Sequence, residues 1–391
     1  MKSFAALFTL PLAALAAPIL EPREGSSAVP GQYIVVLKQN STQEQLLSSV
    51  ESAGGILGGT KPKLSYTLGS FMGYHVSASD DCIKSIANLT EVSYVEPDVM
   101  VSINVLETQN NAPWGLARIS SRVPGTTDYT YDDSAGADTY AYIIDTGIYL
   151  EHGDFEGRAT FGASFVPGDD SETDGNGHGT HVAGTTGSKT YGVAKKTNLI
   201  AVKVLDSEGS GQLSQVIAGM QWAVDDAKSK GRVGKAVGNM SLGASRLVSQ
   251  AVNDAAAAAV QAGLFLSVAA GNDGGPASLS SPASEPSVCT VAATDKTDRR
   301  ASFSNYGMSV DVFAPGVDIL STWNDGATNT ISGTSMAAPH VAGLGAYLLA
   351  LEGPSDPIAL CERIQELSTA GVVKNSLTLN NLLAFNGAAT A

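Results

Sequence analysis

The chain is poor in several things at once. Only 16% of its 391 residues are charged and 6% aromatic, and its 23 lysines and arginines form no run longer than Lys195-Lys196 or Arg299-Arg300. With 38 acidic residues and a net charge of −15, it lacks the basic stripe that a nucleic-acid partner requires. Three cysteines, Cys82, Cys289 and Cys361, are too few and too scattered for a zinc or iron–sulfur centre, and an odd count leaves one thiol to place. Beyond the first 16 residues no stretch reaches the roughly 18 uninterrupted apolar residues that span a bilayer. A soluble product without a membrane partner is expected.

What is present points to compact folding. Hydrophobic residues make up 43%, with 42 glycines and 16 prolines, so a disordered tail or long coiled coil is excluded. Residues 1–16 carry Lys2, the apolar run Phe4-Ala5-Ala6-Leu7-Phe8 and the small-x-small ending Ala14-Leu15-Ala16, the pattern of a secretory signal peptide. Secretion to an extracellular, disulfide-permitting compartment is therefore expected. From Gln32 to about Asn104, short strand-like runs (Tyr33–Leu37, Tyr74–Val76) alternate with helical stretches near Thr42–Ala53 and Asp80–Asn88. This reads as a small α+β unit.

After Ala112 the texture changes to buried strands, at Tyr140–Ile144, Leu199–Val204, Leu264–Ala270, Cys289–Ala293 and Val310–Phe313. Between them lie helical patterns at Gln212–Ala227, Ser249–Ala262 and Met336–Leu351. Apolar strands without alternation, separated by helices, predict a parallel sheet covered on both faces.

Four motifs carry possible chemistry, and each has a bland reading. Asp145 ends an apolar strand run, where α/β sheets keep their ligand sites, although Asp-Thr-Gly could simply cap a helix. Asp174-Gly-Asn-Gly-His178-Gly-Thr-His181 sets two histidines three apart; a metal reading fails for want of an HExxH glutamate or a third ligand. Gly333-Thr-Ser335-Met-Ala-Ala-Pro-His340 puts Ser335 at a helix start, as a cap or as a hydroxyl at the positive end of the helix dipole. Ala270-Gly271-Asn272-Asp273 follows another strand, as a turn or as an amide donor into a cleft.

Together, in the order Asp, His, Asn, Ser, they resemble the subtilisin-like serine proteases (peptidase S8), closest to the fungal proteinase K subfamily; Asp, His, Ser is the subtilisin chain order. Further matching stretches run from Ala112-Pro-Trp-Gly-Leu-Ala-Arg-Ile-Ser through Tyr191-Gly-Val-Ala-Lys-Lys to Ser302-Phe-Ser-Asn-Tyr-Gly. Residues 32–104 more loosely resemble the inhibitor I9-type pro-segment of such enzymes. The resemblance implies a three-layer α/β fold with a mainly parallel central sheet flanked by helices, preceded by the small α+β propeptide. The expected division is 1–16 signal peptide, 17–106 propeptide and 107–391 catalytic domain, with the bond after Asn104 competing with that after Leu106.

On the same resemblance the chain is a self-cleaving zymogen of a serine endopeptidase, monomeric, inhibited by its own propeptide and acting on proteins and peptides. Asp145, His178 and Ser335 would form the triad, with Asn272 in the oxyanion hole and His181 and His340 as supporting residues. Gly209, Ser210 and Gly211 would bind the substrate backbone. Ser241, Leu242, Gly243, Ala269, Ala270 and Gly271 would wall a pocket with no carboxylate, hence an apolar and aromatic preference. Cys289 and Cys361 match a family disulfide, which leaves Cys82 in the pro-segment. Pro286, Val288 and Asp311 match one structural calcium site; the residues of a second, near Arg122 and Val372, are missing, and no catalytic metal is expected. A catalytically inactive homologue used as a binding protein is the alternative. Of the sequons at Asn40, Asn88 and Asn239, the first two fall in the pro-segment and the third beside a buried strand.

Overall fold

The computed structural model describes residues 16–20, 28–62, 64–99, 105–169, 171–243 and 248–388. The expected signal segment, apart from Ala16, and the tail 101–104 lie outside the described residues. The chain divides into two compact units, Met1–Ile103 and Asn104–Ala391.

In the first unit, the strands Ala28–Leu37, Leu64–Leu68, Phe71–Ser77 and Val92–Val99 form an antiparallel sheet with Ala28–Leu37 between the last two. Alternate residues of these strands (Val35, Leu37, Tyr74, Val76) face a core completed by Leu46, Ile83 and Ile86 of the helices Gln43–Ile56 and Asp80–Ala87. Thr42 and Gln45 close a reciprocal capping box at the first helix, satisfying two backbone donors that would otherwise lack acceptors.

The second unit is built on a nine-stranded sheet. From one edge to the other its strands are Thr369–Ala370, Leu382–Leu383, Val312–Pro315, Cys289–Thr294, Phe265–Ala269, Ala236–Met240, Tyr140–Asp145, Asn198–Lys203 and Ala159–Ser164. All pairs are parallel except the first. Period-two alternation sends Ala141 and Ile143 into the core on one face, with the helices His178–Gly187 and Thr334–Leu351. Tyr142 and Ile144 enter the core on the other, with Leu213–Ser229 and Gln250–Gln261. Apolar surface on both faces explains the continuous apolar strand runs. Thr334–Leu351 is, among the described residues, the one helix long and apolar enough to cross a membrane, and it is mostly buried in this core.

The strand Tyr140–Asp145 lies between Asn198–Lys203 on one side and Ala236–Met240 on the other. Chain order therefore reverses at the carboxyl end of this strand, and a crevice opens at such a point. Asp145 occupies that end.

Several elements differ from expectation. The helix predicted from Met336 begins at Thr334. The strand Ala159–Ser164, the hairpin Ile319–Thr322/Thr328–Ile331 and the helix Pro357–Leu367 were not anticipated, and the strand Ala236–Met240 contains Asn239 rather than lying beside it. Asp356 and Pro357 do form a cap-plus-proline start for that last helix, a signal the periodicity alone overlooks.

Cys289, at the start of its strand, is joined to Cys361 of the Pro357–Leu367 helix, 72 residues apart, and Cys82 is free and half-buried. Closing a loop of 72 residues stabilises the fold by ~4 kcal/mol in the chain-entropy picture. Thermal unfolding of the Cys289→Ser/Cys361→Ser double variant, on an inactive background to prevent autolysis, is expected to show a lowered Tm; an unchanged Tm contradicts this.

Candidate active site

Asp145 is fully buried, and its Oδ1 accepts hydrogen bonds from the Thr146 N–H (2.8 Å) and from Nδ1 of His178 (2.8 Å). His178 opens the helix His178–Gly187 with its side chain 26% exposed, so one ring edge is held by a carboxylate while the ring still reaches the cleft. Burial pushes the imidazole pKa down. The Asp145 charge and hydrogen bond, with Asp174 behind them, outweigh burial, so the pKa lies above the ordinary 6.5.

Asp174 is the anchor of this helix start. Its Oδ1 accepts from Asn176 N, Gly177 N and Thr146 Oγ1, and its Oδ2 from Thr180 N and Thr180 Oγ1. A carboxylate collecting first-turn N–H groups satisfies orphan donors and favours the positive helix end. Thr146 closes the loop by accepting the Gly179 N–H at 2.9 Å. At Gly179 a Cβ would lie 2.1 Å from the Gly147 carbonyl oxygen, so only glycine lets the helix approach the Asp145 strand this closely.

Ser335 is the second residue of Thr334–Leu351. Its hydroxyl donates to the Ser241 carbonyl at 3.1 Å. Asn272 stands beside it in a fixed orientation: its Oδ1 accepts from Thr334 N (2.8 Å) and Thr334 Oγ1 (2.9 Å), and Thr334 Oγ1 itself accepts the Gly271 N–H at 3.2 Å. With the carbonyl side of the amide committed, the Asn272 NH2 is the end left to face a ligand.

A cavity of ≈ 200 Å³ beside Ser335 and Asn272 is lined by Leu242, Gly243, Ala269, Gly271, Ser280 and Ser281, all uncharged. A larger cleft of ≈ 520 Å³ is bordered by His178, Gly209, Ser210, Gly211, Leu213 and Glu208. Ser241 lines this larger cleft. Ala270 joins neither wall; it is buried with Val310 and Phe313 beneath the strand end. Thr146, Asp174, Thr334 and Ser280 were not singled out from sequence. Only Asp174, beside the glycines that precede His178, left a readable capping signal.

His181 and His340 are tied to backbone. His181 Nε2 donates to the Ile319 carbonyl (2.9 Å), His340 Nδ1 to that of Met336 (2.8 Å), and burial pulls each pKa to about 4. Both rings are thus neutral at physiological pH, and His181 Nε2 is unavailable to a metal.

At the calcium candidate, Asp311 Oδ2 accepts the Thr290 N–H at 2.8 Å, and burial pushes its carboxyl up to about 6. The sulfurs of Cys289 and Cys361 nearby are joined to each other, so no thiolate is offered to a soft metal. Asp311 thus presents a carboxylate destabilised by burial, an oxygen donor suited to a hard cation. Where the residues of the second site are missing, Arg122 Nη2 donates to the Leu367 carbonyl (3.2 Å) and Nη1 to Thr369 Oγ1 (3.3 Å), with Cζ 4.2 Å from the Phe385 ring centre.

Comparison with known proteins gives the family. The subtilase family (Peptidase_S8) matches residues 136–376, and peptidase inhibitor I9 matches residues 32–104. Subtilisin-like protease 1 of Arthroderma otae is 49% identical over 374 residues, covering 93% of this chain and 76% of that one. Alkaline protease 1 of Aspergillus clavatus is 47% identical over 392 residues, covering 96% of each. The cuticle-degrading protease of Metarhizium anisopliae is 48% identical over 374 residues, covering 95% of this chain and 93% of that one. Among solved structures, a cold-adapted subtilisin-like serine proteinase aligns with TM-score 0.67 at 43% identity, covering 71% of this chain and 99% of its own. The chain belongs to the subtilase family of serine proteases, with a subtilisin-like catalytic fold behind an inhibitor I9 propeptide.

His178 supplies a direct check on the electrostatics. Its folded pKa is raised, so the protonated ring contributes stability that is fully present below 6.5 and is lost as pH rises through the folded value. NMR titration of the imidazole should give a pKa above 6.5, falling below it in Asp145→Asn, where burial prevails. A value unmoved by that substitution contradicts the assignment.

Proposed function

We propose that the chain is a secreted, self-cleaving zymogen of a serine endopeptidase that uses Asp145, His178 and Ser335 as its triad. The observation that carries this reading is the 2.8 Å contact of a buried carboxylate with the inner nitrogen of a half-open histidine, at the same crevice as a serine on a helix N-terminus. A hydroxyl is a weak nucleophile and needs such a base.

In the reaction, the Ser335 hydroxyl turns from the Ser241 carbonyl toward His178 Nε2, gives up its proton and bonds to the substrate carbonyl carbon. Asp145 fixes the tautomer and stabilises the imidazolium without itself taking the proton. The Asn272 NH2 and the Ser335 N–H, a first-turn donor without an intrahelical acceptor, would hold the oxyanion. His178 then returns the proton to the leaving amine. Water attacks the acyl-serine by the same base, releasing the acid and restoring Ser335.

The uncharged cavity between Leu242 and Ala269 suits apolar and aromatic side chains before the scissile bond. Ser210 has its N–H and C=O engaged with Asp206, and the Gly209 N–H is donated to the Asp206 carbonyl, so an extended substrate would add as a strand through the Gly209 carbonyl and Gly211. The same cleft would take the chain's own pro-segment end. A mature chain starting at Glu107 requires the pairing of Leu106 with Asp132 to be absent in the precursor. A start at Val105 likewise requires the Val105 carbonyl to be released from the Asp133 N–H in the precursor.

Ser335→Ala is expected to abolish labelling by a fluorophosphonate probe and to leave the pro-segment attached, while N-terminal sequencing of the wild type reads the cut. Labelling or normal processing of the variant in a protease-free host contradicts the reading. Asn272→Ala should lower kcat by roughly 10²- to 10³-fold at nearly constant KM; a change mainly in KM makes Asn272 a substrate-binding residue instead.

Calcium, held by Asp311 with the Pro286 and Val288 carbonyls, would be structural. Because the folded pKa of Asp311 is raised from 3.8 to about 6, the metal-free protein loses stability as pH rises across that window, and the cation restores it. Calcium added to the inactive Ser335→Ala protein should raise Tm at pH ~8 and much less at pH ~5. Equal gains at both pH values, or none, overturn the site.

A further inference from the structure

Taking Ser335 as the nucleophile, we propose that Ser241 is a positioning residue for it, acting through the Ser335 carbonyl rather than the hydroxyl. Four residues after Ser335, inside the same helix, stands Pro339. In an α-helix the N–H of residue 339 would bond the carbonyl of residue 335. Proline has no N–H, and its ring crowds that carbonyl. The Ser335 carbonyl is therefore orphaned by the helix that carries it, at a turn whose neighbours Thr334 and Met336 are buried.

The partner comes from another element. Ser241, directly after the strand Ala236–Met240 and only 3% exposed, donates its hydroxyl to the Ser335 carbonyl at 2.7 Å. Asn239, fully buried in that strand, donates its Nδ2 to Ser241 Oγ at 2.9 Å. With a lone pair of the hydroxyl taken by Asn239, its single proton is directed at Ser335. In the opposite sense, Ser335 Oγ donates to the Ser241 carbonyl. Strand end and helix start thus exchange two hydrogen bonds, and the one that does not depend on the reacting hydroxyl persists through the reaction.

A part-buried carbonyl left without a donor carries a desolvation cost, which the first turn can relieve by shifting. That turn holds the Ser335 Cα and the N–H aimed at the oxyanion, and displacements of an ångström matter greatly at a reacting centre. The backbone of Ser241, which borders the cleft, is unaffected by loss of its hydroxyl, so substrate binding should be spared.

The test uses the full chain as wild type, Ser241→Ala, Pro339→Ala and the double variant, with kcat and KM on a peptide substrate, fluorophosphonate labelling and Tm. Ser241→Ala should lower kcat by about 10- to 100-fold with KM within about 2-fold. In the double variant the new N–H of residue 339 takes the orphaned carbonyl, so kcat should recover at least about 5-fold over Ser241→Ala. A merely structural role would lower Tm without this compensation. Full kcat in Ser241→Ala, or losses in the double variant that simply add, overturn the proposal. If the wild type is neither labelled nor active, the protease reading falls and the proposal with it. An active, labelled wild type with no compensation removes the positioning claim alone.

Discussion

The site depends on how closely its two helices can approach the sheet and each other. His178 and Ser335 each stand at the N-terminal end of a helix, and those helices, His178–Gly187 and Thr334–Leu351, pack on one face of the sheet. Their approach is set by missing side chains: at Gly343 a Cβ would lie 2.8 Å from the Thr186 carbonyl oxygen and 2.7 Å from the Val193 side chain. A methyl group there would have to push the helices apart, and a packed core has no slack to absorb it. The small-residue run Ala337-Ala338-Pro339-His340-Val341-Ala342-Gly343 is in this sense as much a part of the site as Ser335.

Electrostatics is organised by the same crevice. Two carboxylates, Asp145 and Asp174, are buried at its edge; backbone and hydroxyl donors fill both oxygens of Asp174, while Asp145 takes a single backbone donor, the Thr146 N–H. Asp174 spends its oxygens on the helix start, whereas Asp145 offers one to His178. The result is an imidazole whose proton affinity exceeds that of free histidine although it is largely desolvated. His181, one turn on in the same helix and without a carboxylate partner, shows the opposite outcome, about 4. Burial alone lowers a histidine; only a partnered carboxylate reverses the sign.

Much of this was legible in the sequence. The runs around Tyr142, Ile200, Leu266 and Val291 announced buried parallel strands because each is apolar on both faces. The strand Ala236–Met240 was legible only as a buried strand beside Asn239, since Gly238 and Asn239 interrupt its apolar run; its neighbours on both sides pair with it and bury it completely. Thr334 and Thr146 were invisible for a different reason. Each bridges groups far apart in the chain, and no local pattern encodes such a bond. Ala270 was assigned to a pocket wall through the family resemblance, but its side chain, just past the strand Phe265–Ala269, packs into the core with Val310 and Phe313. Pro339, by local rule a helix breaker, persists inside a helix of 18 residues because a serine from the neighbouring strand answers the carbonyl it orphans.

The central claim is that one crevice unites the Asp145–His178 pair, the Ser335 hydroxyl and two oxyanion donors. A crystal structure of the enzyme after reaction with a fluorophosphonate tests it most directly. The account requires phosphorus bonded to Ser335 Oγ and one phosphonyl oxygen within about 2.7–3.1 Å of both Asn272 Nδ2 and the Ser335 nitrogen. An adduct on another residue, or a phosphonyl oxygen turned away from Asn272, would contradict it.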